Sequence, residues 1–134
     1  MNVDINKVSK YIGSRESIYV LLLIVLTIIN LIVFSKQPMT LLGINIVVIV
    51  LYFSITQRED KAVLLLACVN FAFWGIILES FIIKNSNFAL KYRLGSNMEG
   101  LYVPAWLFTV YIVFVIASLY TYDFYKTILL NKKT

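Results

Sequence analysis

The chain of 134 residues contains no histidine and one cysteine, Cys68. A disulfide within the chain needs two cysteines, a Cys/His metal site needs several such ligands, and Ser-His-Asp or Cys-His catalysis needs a histidine. The composition therefore excludes these sites, and we predict no catalytic residue, no metal and no cofactor. Cys68 lies inside an apolar run, which is typical of a free cysteine that packs as a small hydrophobic side chain.

Charged residues are also scarce, at 14% against about 25% in soluble domains, and apolar residues reach 60%. A soluble chain of this one-domain size could not bury so much apolar surface, so an integral membrane protein is predicted. The net charge of +5 comes from basic residues placed between apolar runs. That placement indicates that the basic residues set the orientation of the chain in the membrane and contact anionic lipid headgroups. The predicted partner is the lipid bilayer and not nucleic acid.

Four apolar runs are long enough to cross a membrane. They cover about residues 17–34, 39–56, 62–83 and 101–122. At 1.5 Å per residue, each run spans roughly the hydrocarbon core. The sequence therefore predicts an all-α fold, an integral membrane four-helix bundle within residues 17–125. The pattern of residues 1–16 is compatible with a short interfacial helix and also with a frayed terminus. Residues 126–134 form a basic tail.

The distribution of Lys and Arg predicts the orientation of the bundle. Of the 12 such residues, eight lie on the side of the chain termini: Lys7, Lys10, Arg15, Arg58, Lys61, Lys126, Lys132 and Lys133. The other four lie on the opposite side: Lys36, Lys84, Lys91 and Arg93. Loops rich in Lys and Arg stay in the cytoplasm, so both termini are predicted to be cytoplasmic. The sequence does not indicate which membrane holds the protein.

Glu79 is the one ionisable residue inside a predicted span, and such residues commonly mark functional sites. We predict a polar pocket near the non-cytoplasmic surface, formed by Glu79 with Tyr102 and Trp106 of the last span. Such a pocket could bind a cation, a proton or a polar headgroup. Glu79 could instead have no functional role, because a carboxylate near the interface can reach water or pair with Lys84.

A stripe of small residues on the third span leads to Glu79. At 100° per residue, Cys68, Ala72, Gly75 and Glu79 fall on one side of a helix. Small residues at this spacing let a second helix approach closely. We therefore predict that Cys68, Ala72 and Gly75 form a helix-packing stripe that faces the bundle and not the lipid.

Asparagine is the other strongly polar residue type within the spans, at Asn30, Asn45 and Asn70. Side-chain amides in a bilayer commonly form hydrogen bonds between helices. We interpret all three as structural contacts between helices. Asn70 is nine residues from Glu79 and half a turn away in angle, so the two do not form one continuous polar path along the third span.

Two short motifs resemble a known family. Residues 75–79 read GIILE and residues 103–107 read VPAWL. Together they resemble the DUF2878 family of small multi-pass membrane proteins, whose members have a Gly-x-x-x-acid motif late in one helix and a Pro-x-Trp motif opening the last. The family acid is usually Asp where this chain has Glu79. A polar Asn-His pair of the family is replaced here by Tyr120-Thr121.

The resemblance covers at most residues 18–125 and carries two implications. It implies a compact helical bundle. It also implies that three residues lie near one another, namely Glu79, Pro104 and Trp106. The family has no assigned activity, so the resemblance implies none for this chain.

Three classes of function are compatible with the sequence. We favour a non-enzymatic membrane subunit that binds a lipid or a partner, either a second copy of the chain or another membrane protein. The first alternative is a small oligomeric transporter or channel-like protein that uses Glu79. The second is an enzyme of lipid or isoprenoid metabolism with Glu79 as general acid, which would need a site shared with a partner.

Overall fold

The computed structural model describes residues 14–85 and 103–129, together with residues 5, 6 and 10. The described chain forms four long α-helices: α1 (Arg15–Val33), α2 (Pro38–Ile55), α3 (Lys61–Asn85) and α4 (Trp106–Leu129). Each is long and apolar enough to cross a membrane. The all-α fold is therefore confirmed, and the chain is a multi-pass membrane protein. Most of the predicted interfacial segment, most of the polar loop and the end of the basic tail lie outside the described residues.

The first two helices form an antiparallel hairpin with well-defined ends. The Ser14 hydroxyl accepts a hydrogen bond from the Ser17 amide at 3.3 Å, which pairs one of the free amides at the start of α1. Glu16 lies in the same first turn, where the helix dipole favours negative charge. After the short turn at residues 34–37, Pro38 opens α2 at a position where a missing amide hydrogen costs nothing.

Helix α4 is the common neighbour of the other three helices. It packs against α1, α2 and α3, and α1 also packs against α2, whereas α3 packs mainly against α4. Helices α1, α2 and α4 therefore make a three-helix unit, with α3 attached beside it. We call the end where α1 begins and α4 ends the terminal end, and the end where α1 turns into α2 the loop end.

Helix α3 is buried along a single narrow row of side chains. The row consists of Leu64, Cys68, Ala72, Ile76 and Ser80. Its spacing of four residues is the ridge by which helices commonly interdigitate. Cys68 and Ala72 are 0% exposed, and the row joins a central core with residues of the three-helix unit, among them Val20, Leu23, Ile49, Ile112 and Ile116.

The distribution of side chains is the one expected in lipid. Ser17, Asn45 and Thr109 are buried, while large apolar side chains such as Leu66 and Trp74 are more than half exposed. In a bilayer, the hydrocarbon is as favourable an environment for apolar side chains as the protein interior is. Close packing of small residues and hydrogen bonds between helices then determine which faces meet.

Candidate functional site

The Glu79 carboxylate lies on the seam between α3 and α4 and is half-buried. The Tyr111 hydroxyl of α4 donates a hydrogen bond to Glu79 Oε2. Glu79 is six residues from the end of α3 and Tyr111 is five residues from the start of α4. The helices are antiparallel, so both residues lie at a similar depth, about 8–9 Å below the helix ends at the loop end. The contact therefore places a carboxylate and a phenol together within the membrane-spanning part of the bundle.

Gly75 makes room for the tyrosine that binds Glu79. A Cβ atom added at Gly75 would lie 3.0 Å from the Cε1 and Cζ atoms of the Tyr111 ring. Real Cβ atoms rarely approach a neighbour so closely, so any larger residue would push the ring away. Glu79 is one helical turn beyond Gly75, and the ring that packs on the glycine presents its hydroxyl to the carboxylate.

Two phenylalanine rings continue the site toward the middle of the bundle. The Phe71 ring centroid lies 6.2 Å from that of Tyr111, in an edge-to-face arrangement. Phe71 also stacks on Phe114 with centroids 6.2 Å apart. Both phenylalanine side chains are exposed, at 45% and 57%. We define the Glu79 surface as the outward face formed by Phe71, Gly75, Glu79, Tyr111 and Phe114.

The predicted stripe divides into two adjacent rows of α3. Cys68 and Ala72 belong to the buried row. Gly75 and Glu79 are half-buried and lie in the next row, which begins at Phe71. Cys68 and Ala72 are buried in the core, and the atoms nearest to a Cβ placed at Gly75 belong to the Tyr111 side chain of α4.

The other members of the predicted pocket lie toward the loop end. Trp106 is the first residue of α4 and packs against a small core cluster of Ile76, Val103 and Leu107, which the Tyr111 ring also contacts. Among the described residues, Glu79 reaches this cluster only through its hydrogen bond with Tyr111, and no direct contact between Trp106 and Glu79 is seen there. Tyr102 lies outside the described residues.

A second polar cluster joins the three-helix unit near the loop end. Asn30 Nδ2 of α1 donates to Asn45 Oδ1 of α2 at 3.2 Å. Asn45 Nδ2 donates to the Thr109 hydroxyl of α4 at 3.0 Å, and that hydroxyl donates to the Trp106 carbonyl oxygen. Asn30 and Asn45 therefore make the predicted contacts between helices. Asn70 differs, because its side chain is exposed on the outer face of α3.

A third cluster, which sequence reasoning did not identify, lies at the terminal end. Glu16 Oε1 accepts hydrogen bonds from the Tyr52 hydroxyl at 2.8 Å and the Thr56 hydroxyl at 2.7 Å, and Glu16 Oε2 accepts one from the Gln57 amide at 3.2 Å. The start of α1 is thereby tied to the end of α2. The Tyr120 hydroxyl of α4 donates to Ser17 of α1 at 2.7 Å, so all three helices are joined here too.

Arg58 extends this cluster to the turn before α3. It forms ion pairs with Asp60 at 2.9 Å and with Asp123 of α4 at 3.4 Å. The hydrogen bond from the Arg58 guanidinium lowers the pKa of the Asp60 carboxyl below its ordinary value. The same bond raises the pKa of Arg58, which stays protonated. A cavity of about 40 Å³ beside these groups is large enough for roughly one or two water molecules.

The core between the two ends is apolar. Between the asparagine cluster and the Glu16 cluster, the described interior is filled by side chains such as Val20, Leu23, Ile49 and Ile116. The buried Thr27 hydroxyl of α1 donates a hydrogen bond to the Leu23 carbonyl oxygen of its own helix at 2.7 Å. Within the described part of the chain, the bundle therefore provides no continuous polar route from one end to the other.

Two open grooves of about 370 Å³ lie on the outer surface of the bundle. One runs between α2 and α4 and is lined by apolar side chains such as Leu42, Ile46 and Phe108. The other lies near the terminal end beside Leu21, Tyr120 and Phe124. Both lie on the outward face of the bundle. Among residues 14–85 and 103–129, no group of three or more acidic or cysteine side chains is arranged to hold a metal ion.

Comparisons with models of known protein families, with curated proteins and with solved structures found no match. The resemblance to DUF2878 stays a prediction. The candidate site consequently rests on its geometry: a carboxylate held by a phenol, at membrane depth, on an outward face rich in aromatic rings.

Proposed function

We propose that this chain is a non-catalytic membrane subunit that binds a partner protein within the bilayer through the Glu79 surface. The observation that carries the proposal is the position of the Glu79 carboxylate. It lies within the membrane-spanning part of α3, and the Tyr111 hydroxyl holds it at the edge of the α3–α4 seam. Ionisable groups at such depth are costly, and they commonly mark functional sites.

The other polar clusters support this assignment because their described contacts lie inside the protein. The asparagine cluster and the Glu16 cluster tie α1, α2 and α4 to one another. The Glu79 surface differs because it faces outward and continues into exposed aromatic rings, Phe71 and Phe114. Aromatic side chains of this kind are enriched where proteins bind one another.

The apolar core favours a subunit over a transporter. Transport through a single bundle would need polar groups between the two ends, and the described core there is apolar. A transporter that uses Glu79 would therefore need a pathway formed between copies of the chain. With both termini in the cytoplasm, as the Lys and Arg distribution predicts, Glu79 lies in the non-cytoplasmic half of the bilayer.

Site-specific photo-cross-linking in native membranes tests the proposal. A photoreactive residue would replace Leu78 beside the Glu79 surface or Phe114 within it. Ile29 on α1 and Val50 on α2 are the controls, because all four side chains are exposed to similar extents. We expect discrete protein adducts from the first pair and lipid adducts from the second. The protein adducts should weaken when Glu79→Gln is added. Lipid adducts at all four positions would show that the surface is only a lipid contact.

A further inference from the structure

We propose that two copies of this chain pair in the membrane through the outer face of α3, with Asn70 of one copy bound to Asn70 of the other. This interface is separate from the Glu79 surface, because Asn70 and Glu79 are nine residues apart and project from opposite sides of the helix. It therefore goes beyond the proposed function. The inference follows from the depth of Asn70, the spacing of the exposed side chains around it and its hydrogen-bonding capacity.

Asn70 lies close to the middle of the membrane and faces away from the bundle. Helix α3 has 25 residues, Lys61–Asn85, so its midpoint is at residue 73. With the helix centred in the hydrocarbon core, Asn70 lies about 5 Å from the bilayer midplane. Its side chain is exposed on the outer face of α3. A side-chain amide that meets hydrocarbon there has no water to bond, so a polar contact with another protein surface is strongly favoured.

Asn70 is also the central residue of an exposed row with the spacing of a coiled coil. We define the α3 seam as Val63, Leu66, Asn70, Phe73 and Ile77. These residues are separated alternately by three and four positions, and all five side chains are exposed. Helices with this spacing pack side by side with their side chains interdigitated, in membranes as in water. A single asparagine within such a seam fixes the register and the number of helices.

The chemistry of the amide favours a second copy over other occupants. A lipid acyl chain has no hydrogen-bonding group at this depth. A second copy in the same orientation, as the Lys and Arg distribution predicts, presents its own Asn70 at the same depth. Across a two-fold axis along the membrane normal, the two α3 helices run parallel and Asn70 faces Asn70. Because the amide contains both donors and an acceptor, each side chain can donate to the carbonyl oxygen of the other.

The packing of α3 leaves the seam available for this contact. Helix α3 packs mainly against α4, through the row that contains Cys68 and Ala72. The seam lies on the other side of the helix, so pairing leaves the bundle undisturbed. Asparagines already join helices within this chain, since Asn30 Nδ2 donates to Asn45 Oδ1 at 3.2 Å. Pairing extends the same kind of contact from within one bundle to between two bundles.

Energy transfer between copies in phosphatidylcholine vesicles tests the inference. Thr134→Cys gives the full chain an attachment point for a donor or an acceptor dye, because Cys68 is fully buried. Association is measured over a range of lipid-to-protein ratios. We expect the wild type to associate and Asn70→Leu to weaken that association about tenfold, because two symmetric hydrogen bonds are lost. Asn70→Gln keeps the amide and should stay within about threefold of the wild type.

Two further comparisons separate the seam from other exposed faces and from effects on folding. Leu66→Ala removes an apolar side chain beside Asn70 in the seam and should weaken association about threefold. Leu51→Ala makes the same change on the exposed surface of α2 and should leave association unchanged. In an excess of detergent micelles, which hold the copies apart, Asn70→Leu should unfold like the wild type.

Equal association of the wild type, Asn70→Leu and Leu66→Ala would overturn the inference. Energy transfer no higher than that between two unrelated labelled membrane proteins at the same density would also overturn it, because the copies would then not associate. If association survived Asn70→Leu but fell on Phe114→Ala, the copies would meet through the Glu79 surface. The inference would then fail while the proposed function would stand.

Discussion

The three-helix unit and helix α3 are held in place in different ways. Helices α1, α2 and α4 are joined near both ends by hydrogen bonds between side chains. Asn45 makes them near the loop end, and Glu16 and Tyr120 make them at the terminal end. Helix α3 is attached to α4 along a row of mostly small residues, with the Tyr111–Glu79 contact beside it. In lipid, which solvates apolar faces well, the attachment of α3 depends on close fit. The helix attached mainly through one neighbour is also the one that carries the candidate site.

The largest expected effect comes from breaking that fit. Gly75→Leu should destabilise the protein by about 3 kcal/mol, because the new side chain collides with the Tyr111 ring. Unfolding in mixed micelles measures the change. Gly43→Leu on α2 is the control, because a Cβ atom there would meet nothing within 4 Å. Equal losses at the two glycines would contradict the close contact between α3 and α4.

A smaller loss is expected from the centre of the three-helix unit. Asn45→Ala removes two hydrogen bonds and leaves Asn30 and Thr109 without their buried partner, so it should cost about 2 kcal/mol. Asn70→Ala makes the same change on the exposed face of α3 and should cost less than about 0.5 kcal/mol. The same unfolding assay compares the two. If Asn70→Ala proved the more costly, the hydrogen-bonded joint between α1, α2 and α4 would not hold the unit together.

The smallest expected effect concerns the ion pairs that hold the start of α3. Because Arg58 lowers the pKa of Asp60 in the folded protein, the pair stabilises the fold above the ordinary carboxyl pKa of about 4. That contribution disappears as pH falls through the lower folded pKa. The side chains are partly exposed, so the loss should stay below about 1 kcal/mol.

A pH series of unfolding measurements on the wild type and Asp60→Asn checks this prediction. Below about pH 4, the stability of Asp60→Asn should fall less than that of the wild type, because the titrating carboxyl is absent. The stability of Glu59→Gln, a change at the exposed neighbouring residue, should fall as much as that of the wild type. Identical acid sensitivity in the wild type and Asp60→Asn would show that the Arg58–Asp60 pair does not stabilise the fold.

The architecture could be predicted because the bilayer restricts the possibilities. Hydrocarbon thickness sets the length of a span, and the polar turns between apolar runs mark where helices end. Helices α1 and α2 begin and end within two residues of the predicted spans. Helix α4 differs more, since it begins at Trp106 and continues to Leu129, past Asp123 and Lys126. A helix does not need to stop where the hydrocarbon ends, so charge marks the membrane edge better than it marks the helix end.

The partners of the polar residues were harder to predict than the residues themselves. Glu79 could be identified because an acid in a span is rare. Its partner Tyr111 was one of nine tyrosines, although its similar distance from the loop end was a usable signal. Asn45 and Asn70 show that residue type alone does not predict whether a polar side chain in a span is buried. One is buried at a three-helix joint and the other faces outward, because the rotation of each helix depends on packing along its whole length.

The buried thiol of Cys68 can report how often helix α3 separates from its neighbours. It is the one sulfhydryl in the chain and is fully covered where α3 meets its neighbours. A membrane-permeant maleimide can therefore modify it only when α3 separates. The modification rate then measures how often the helix opens in an otherwise native bilayer. A partner that clamps α3 would slow this reaction without touching the sulfur atom.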